Sequence, residues 1–524
     1  MSDHTRGAGR AVVIGAGVAG LATAALLGRE GYSVTVVERL GTVGGRAGEE
    51  TLSGFRFDTG PSWYLMPDAF DHFFSLFGKR TDELLDLVDL APAYRLFPEG
   101  QAPVDVNSGR AQAEALFESI EPGAGAALGE YLDSAADTYR IAVEKFLYTT
   151  FADLGGFADA EILRRGGDLA KFLTVPLDKY VARRFRDTRL RQMLTYPAVF
   201  LSSHPSRTPS MYHLLSHTDL EQGVKYPQGG FAAVVEALRA LAEEQGVQFR
   251  LGAEVSAISY AGGRAKGVRL VGGEELGADV VVSCADLHHT ETQLLPKAKR
   301  TYDERYFAPR DPGLGTVLVM AGVEGELPQL THHNFLFSRE WDADFDAVFN
   351  PPHASRPLNA SRSIYVSKPS ATDASAAPHG CENLFVLVPV PAAESMGHGD
   401  LYRSNASAAV TQVADAAIGQ IAERCGIPDL TERMVVRKTL GPADFAERYH
   451  AWSGGSIGPA HTLRQSAFFR SRNRSKKLSN LLYAGATTLP GVGVPMCLIS
   501  AENVVKRLRD DRSPGPLPQL WQQR

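Results

Sequence analysis

Cysteine is scarce in this chain. Four cysteines, Cys284, Cys381, Cys425 and Cys497, stand 97, 44 and 72 residues apart in 524. No C-x-x-C pair exists, so neither a zinc site nor a disulfide framework is indicated, and no metal is expected. Excess charge is lacking too. Lys and Arg number 54 against 60 Asp and Glu, a net charge of −6, which gives no global reason to bind nucleic acid. Long apolar runs are also missing. The one from Ala11 to Gly28 is interrupted by Gly15, Gly17 and Gly20, which split it into a short strand and a helix, and no small-residue cleavage site follows. The reading is a cytoplasmic protein with no transmembrane helix. No H-E-x-x-H, Walker or Ser/His/Asp pattern offers another chemistry.

What is present begins at Arg10. Arg10 to Ile14 is a compact strand, Gly15-Ala16-Gly17-Val18-Ala19-Gly20 a turn, Leu21 to Glu30 helix-forming, and Ser33 to Val37 a second strand ending at Glu38, 18 residues after Gly20. This is the dinucleotide fingerprint in its proper strand, turn and helix context. Gly15 permits the tight turn, Gly17 lets the backbone approach a pyrophosphate, and Gly20 lets the helix pack closely on the strand. The helix N-terminus supplies amide donors, and Glu38 accepts from a ribose diol.

Next come Arg39, then Gly44-Gly45-Arg46, and Asp58-Thr59-Gly60-Pro61-Ser62. With these segments the chain resembles the flavin-dependent amine oxidase and carotenoid desaturase superfamily. The resemblance implies FAD, with Arg39, Gly45 and Arg46 near its diphosphate and flavin, and Gly60, Pro61 and Ser62 beside the flavin ring. Gln228-Gly229-Gly230 opens a helix running to about Gln245, and strands follow at 247–251, 255–258, 267–268 and 278–282. By the same resemblance Val255 contacts the adenine end through its backbone. Asn480 to Thr488 reads as a strand entering a turn at Gly485, and Gly491 to Met496 opens a helix to about Leu508. Val494, Pro495 and Met496 are then its N-terminus, directed at the flavin, where it stabilises negative charge on the reduced ring. Ala486 stands where many flavoproteins carry an acid.

The segments Phe57 to Pro67, Tyr196 to Leu201, Thr208 to Tyr212, Tyr226 to Gly230 and Pro490 to Pro495 resemble bacterial phytoene desaturases, in family order from about residue 10 to about 508. The implied reaction is stepwise dehydrogenation of a long linear carotenoid, phytoene toward lycopene. Oxygen or a quinone is the expected electron acceptor, since no second nucleotide fingerprint is visible. The alternatives are a thirty-carbon desaturase, a carotenoid isomerase, a ketolase-like oxidase, and a non-catalytic prenyl-lipid carrier of the same fold. Such chemistry asks the protein mainly to orient the chain and exclude water in an apolar channel, with a base for one proton. Tyr196, Phe200 and Tyr212 are candidate channel residues. His204, His213, His217, Asp444 and Glu447 are candidates for the base, and none is assigned a catalytic role.

The expected fold is α/β: a Rossmann-like FAD-binding domain built from discontinuous segments, with an α+β substrate and membrane-associating domain. The FAD domain takes residues 1–80, 225–300 and 475–510, the substrate domain 81–224 and 301–474, and 511–524 form a tail. Three features bear on peripheral membrane association. These are a stripe at Phe70, Phe73, Phe74 and Phe77, a spacing that more often marks ordinary core, a basic amphipathic helix holding Arg183, Arg184, Arg186, Arg189 and Arg191, for which a solvated helix face is the plainer alternative, and six basic residues from Arg464 to Lys477 around Phe468 and Phe469.

Overall fold

The computed structural model describes residues 9–152 and 166–519. The start of the first expected FAD segment, residues 1–8, part of the first substrate segment, 153–165, and the end of the tail, 520–524, lie outside the described residues.

A parallel sheet carries the first half of the cavity described below. Its strands are β1 (Arg10–Ile14), β2 (Ser33–Val37), β3 (Gln248–Arg250), β4 (Val280–Ser283) and β5 (Leu481–Tyr483), in the spatial order β5-β4-β1-β2-β3. β4 is buried throughout and β1 after its first residue, as expected of a parallel strand covered on both faces. Helices α1 (Val18–Arg29), α2 (Phe231–Glu244) and α3 (Val494–Leu508) pack together on one side. Their shared core holds Leu21, Leu26, Val234, Leu238, Leu498 and Val505. On the other face a three-stranded antiparallel sheet, Val255–Ala261, Arg264–Leu270 and Glu275–Gly277, packs Ile258 and Val268 against Val12 and Val281.

A second sheet has seven strands in the order Met434–Leu440, Leu314–Glu324, Cys381–Pro391, Ile364–Ser367, His333–Phe337, Tyr94–Pro98 and Val104–Val106. All its pairings are antiparallel except that of Tyr94–Pro98 with His333–Phe337. Its two faces have different fates. Val317, Val319, Leu336 and Val386 enter a core under the helix Ala408–Arg424, while Phe335 and Phe337 join a cluster rich in aromatic rings on the opposite face.

Several expectations change here. The phenylalanine stripe lies on the helix Pro67–Ser75, but Phe70, Phe73 and Phe74 are buried in the core beside α1 and α2, and Phe77 lies past the helix end under the Arg29 guanidinium. The stripe is interior packing, which a nine-residue helix needs to hold its place. The arginine-rich stretch is two helices, Leu177–Ala182 and Thr188–Thr195, rather than one. Asp187 caps the second by accepting from Arg189 N, and its carboxylate also holds the Arg189 guanidinium at 2.8 Å. Arg184 lies over the Tyr180 ring and Arg191 donates to the Phe185 carbonyl. The tail packs back. Leu517 is buried in the α1–α2–α3 core, and the Lys506 ammonium donates to the Ser513 and Gly515 carbonyls.

Candidate functional site

A cavity of about 560 Å³ runs between the two sheets, and its lining is predominantly apolar. Of the cofactor and channel candidates named from sequence, all except Gly20 line it: Gly15, Gly17, Glu38, Arg39, Gly45, Arg46, Gly60 to Ser62, Val255, Gly485, Val494 to Met496, and the three aromatics Tyr196, Phe200 and Tyr212.

The three fingerprint glycines are glycine for different reasons. Gly15 has φ +96°, a left-handed conformation that penalises any side chain. A Cβ on Gly20 would sit 1.9 Å from the Gly15 carbonyl oxygen, so its role is helix-on-strand packing inside the protein. Gly17 has φ −71°, and a Cβ there would meet nothing closer than 3.8 Å. Nothing in the protein's own packing requires glycine at 17. The space its missing side chain leaves belongs to the cavity.

Around this turn the main chain is tied down. Gly15 N donates to Val37 O at 2.8 Å and Gly44 N to Ala16 O at 2.9 Å. The buried Glu38 carboxylate accepts from Ala16 N and Leu40 N, each at 2.8 Å. Each carboxylate oxygen retains a second acceptor position. Arg39 donates to the Glu447 and Arg448 carbonyls, and Arg46 to Ile457 O at 2.8 Å and Ser456 O at 3.3 Å. Both guanidiniums are thereby oriented by carbonyls at the cavity wall, and Arg39 also lies 3.8 Å from the Glu254 carboxylate. The cavity-lining Asp286, raised by burial, is partly held down by Arg46. α3 begins at the cavity with Gly493 (φ +112°) as its cap and Pro495 in its first turn, so free amides point there without a side-chain partner. At Ala486 the carbonyl accepts from the buried Arg470 at 2.6 Å.

The rest of the cavity is ring against ring. Trp63, which the sequence analysis passed over, has Tyr94, Tyr196, Phe200, His333, Phe335 and Tyr365 around it at centroid distances of 4.8 to 6.5 Å. Phe335 and Tyr365 face each other across paired strands, and Phe337, Trp341 and Phe345 extend the wall. A signal for part of this wall exists in the sequence: in His333-Asn334-Phe335-Leu336-Phe337 every second residue is a ring, the period of a strand with one aromatic face.

The candidate bases stand elsewhere. His204, His213, His217, Asp444 and Glu447 do not line the cavity. His213 lies between Ser134 Oγ and Ser210 O, His217 pairs with Glu221 Oε2 at 2.5 Å, and His204 accepts from Ser206 N. Asp444 accepts from Gly399 N and Gly441 N, and Glu447 pairs with Arg403. Each is occupied by local structure. Two tyrosine–histidine pairs at the cavity were not singled out as pairs from sequence: Tyr212 with His461 and Tyr365 with His333, hydroxyl to Nδ1, both at 2.7 Å. Behind Tyr196, the Asp219 carboxyl takes the hydroxyl of Tyr196 at 2.8 Å and that of Tyr94 at 3.4 Å, and burial pushes it up to about 7.

Comparison with known proteins agrees with this architecture. Residues 18–319 match the family described as flavin containing amine oxidoreductase. A carotenoid 3,4-desaturase of Haloarcula japonica is 39% identical over 501 residues, 95% of this chain and 98% of the relative. A zeta-carotene-forming phytoene desaturase of Myxococcus xanthus is 35% identical, covering 97% of this chain and 95% of the relative. Among solved structures an oxidoreductase from Methanosarcina mazei superposes with a TM-score of 0.62 at 16% identity, covering 95% of this chain and all of that one, a likeness of fold.

Proposed function

Since the chain belongs to the flavin containing amine oxidoreductase family and stands there among the carotenoid desaturases, we propose that it is an FAD-dependent carotenoid desaturase that introduces double bonds stepwise into a long linear carotenoid, phytoene toward lycopene. The observation that carries this reading is the single cavity joining the glycine turn and Glu38 to the Trp63 ring cluster. It puts a dinucleotide cradle and an apolar, aromatic wall in the same space.

The residues fit FAD. The room left at Gly17 is unexplained by the protein's own packing and is what a pyrophosphate approaching the main chain requires. Glu38 would hold the ribose diol with its remaining acceptor positions, the α1 N-terminus the diphosphate, and Val255 the adenine end through its backbone. Arg46, Gly45 and Gly60 to Ser62 would lie along the diphosphate and flavin, and the N-terminus of α3, Val494 to Met496, would face the ring. FAD when bound supplies the hydride acceptor that a hydrocarbon substrate needs. Everything else falls to the chain's own residues. Arg46 and the amides of α3 place positive potential where the reduced ring's charge develops. Trp63, Tyr196, Phe200, Phe335 and Tyr212 keep water out and hold the polyene extended, which is positioning rather than bond chemistry.

A peripheral membrane position follows from the solubility of such a substrate. It is supported by Leu463, Phe468 and Phe469, exposed at 38, 38 and 47%, beside the cavity-lining Ala467 and close to Phe151. Arg464, Arg472, Arg474, Lys476 and Lys477 flank them. Among the described residues no helix is long and apolar enough to cross a membrane. Oxygen or a quinone returns the flavin to its oxidised form. The reading is tested by incubating flavin-loaded protein with phytoene in liposomes under air or with a quinone and extracting the pigments. New polyenes of longer absorption wavelength are expected, and unchanged phytoene together with every other linear carotenoid offered would refute it.

A further inference from the structure

The two tyrosine–histidine pairs at the cavity wall share one distance and differ in what lies behind the ring. His461 Nε2 accepts from Val492 N at 3.2 Å. That bond fixes its proton on Nδ1, which donates to the Tyr212 oxygen, and the Tyr212 hydroxyl then donates to Ser466 Oγ at 3.1 Å. Ser466 in turn donates to Thr462 O. The direction of every bond is set, and the imidazole has no lone pair left to take a proton.

At the other pair the order is reversed. Burial pushes the Tyr365 hydroxyl up to about 12, offset by Ser62, Trp63 and Ser367 close around it. The Trp63 indole N–H and the Ser367 hydroxyl have no partner in full hydrogen-bond geometry. His333 Nδ1, at 2.7 Å, is the partner of the Tyr365 hydroxyl in full hydrogen-bond geometry, and the proton of that bond is assigned to the tyrosine oxygen. His333 Nε2 has no partner, and its ring is fully buried and neutral. The His332 ring packs edge-on at 4.5 Å, with Nε2 likewise unpartnered and Nδ1 on Thr372 Oγ1 at 2.8 Å. The next residue, Asp373, pairs with Arg56, which reaches the surface. Exchangeable groups thus stand in succession from the cavity toward the surface without a continuous hydrogen-bond chain between them, starting at a tyrosine that contacts Ser62, in the segment placed beside the flavin.

We propose that Tyr365 is the catalytic proton acceptor of the dehydrogenation and His333 the positioning residue that receives its proton; this rests on the desaturase reading above. As a hydride leaves one substrate carbon for the flavin, the neighbouring C–H bond breaks. Its electron pair becomes the new π bond, and its proton goes to the Tyr365 oxygen while the Tyr365 proton passes to His333 Nδ1. A carbon next to a forming allylic cation is acidic enough for a neutral acceptor of this kind. The burial that makes an imidazolium at His333 short-lived sends the proton onward past His332 to solvent. Tyr212, with its bonds directed the other way, is a wall residue.

The test is anaerobic single-turnover flavin reduction by a carotenoid that the unsubstituted protein oxidises, followed as loss of visible flavin absorbance. Tyr365→Phe is expected to slow reduction by about 100-fold or more at unchanged flavin occupancy and unchanged substrate half-saturation. The unsubstituted protein is expected to react more slowly in D2O, and Tyr365→Phe to lose that difference. Equal rates for Tyr365→Phe and the unsubstituted protein would overturn the proposal. A protein that oxidises no carotenoid at all would instead refute the desaturase reading. Histidine ¹⁵N spectra of the unsubstituted holoprotein, assigned by loss of signals in His333→Gln and His461→Gln, require no activity. They are expected to show the Nε2–H tautomer at His333 and Nδ1–H at His461, and Nδ1–H at His333 would overturn the proposal even if Tyr365→Phe proved unable to fold.

Discussion

At Gly17 the cavity wall is bare main chain; at Trp63 an indole is surrounded by six rings from four other stretches of sequence. The first surface is specified by a turn of six residues and two hydrogen bonds that join it to Val37 in β2 and to Gly44 in the loop beyond. The second exists only once the seven-stranded sheet has paired Phe335 with Tyr365 and brought both to the segment after Gly60. A backbone surface tolerates no added atom and is indifferent to polarity nearby. A side-chain surface tolerates changes of volume at a cost in stability and is sensitive to any polar group it encloses.

That contrast is broken most severely at Gly20. Gly20→Val would drive a branched side chain into the Gly15 carbonyl, 1.9 Å from the new Cβ, and no soluble folded protein is expected. Gly17→Val sharpens the comparison, because its Cβ finds room. The variant is expected to fold with a melting temperature within a few degrees of the original and to purify without flavin absorbance. Full flavin occupancy in that variant would show that the glycine turn does not approach the cofactor.

In the ring cluster the effects are energetic. Asp219 has its folded-state pKa raised to about 7 against an ordinary 3.8. Its contribution to stability is therefore complete below about pH 4 and is lost as pH rises through 7. Asp219→Asn is expected to leave stability nearly unchanged at pH 4 and to raise it at pH 8, by at most about 4 kcal/mol at 1.36 kcal/mol per pKa unit. Denaturant melts at the two pH values read the difference, and parallel losses at both would contradict the assignment of a protonated carboxyl. Phe335→Ala is expected to cost about 3 kcal/mol, to retain flavin, and to widen the cavity enough that shorter and longer polyenes are accepted alike.

Legibility in the sequence followed the same division. Strand β1, the glycine turn and the acid at 38 are local, and the helices from Phe231 and Val494 begin within a few residues of where glycine and proline place them. Local periodicity misled where neighbours decide. Arg183 to Arg191 has the composition of one basic helix, yet Asp187 caps a new one midway. Phe70 to Phe77 has a stripe that suits a lipid face but more often marks a core, and it packs in the core beside α1. The histidines first considered as bases were chosen for lying in the substrate half, and nearness along the chain says nothing about which wall a ring reaches. His333 and Tyr365 are 32 residues apart and meet only through strand pairing. Alternation in His333 to Phe337 was the available clue, and it points to a face rather than to a function.

The most direct measurement is anaerobic mixing of FAD-loaded protein with phytoene in liposomes, watching the flavin's visible band and then extracting the pigments. The account predicts bleaching, together with the appearance of more conjugated polyenes in amounts equal to the flavin reduced. A flavin that stays oxidised in the presence of phytoene and other linear carotenoids, with the substrate recovered intact, would contradict it.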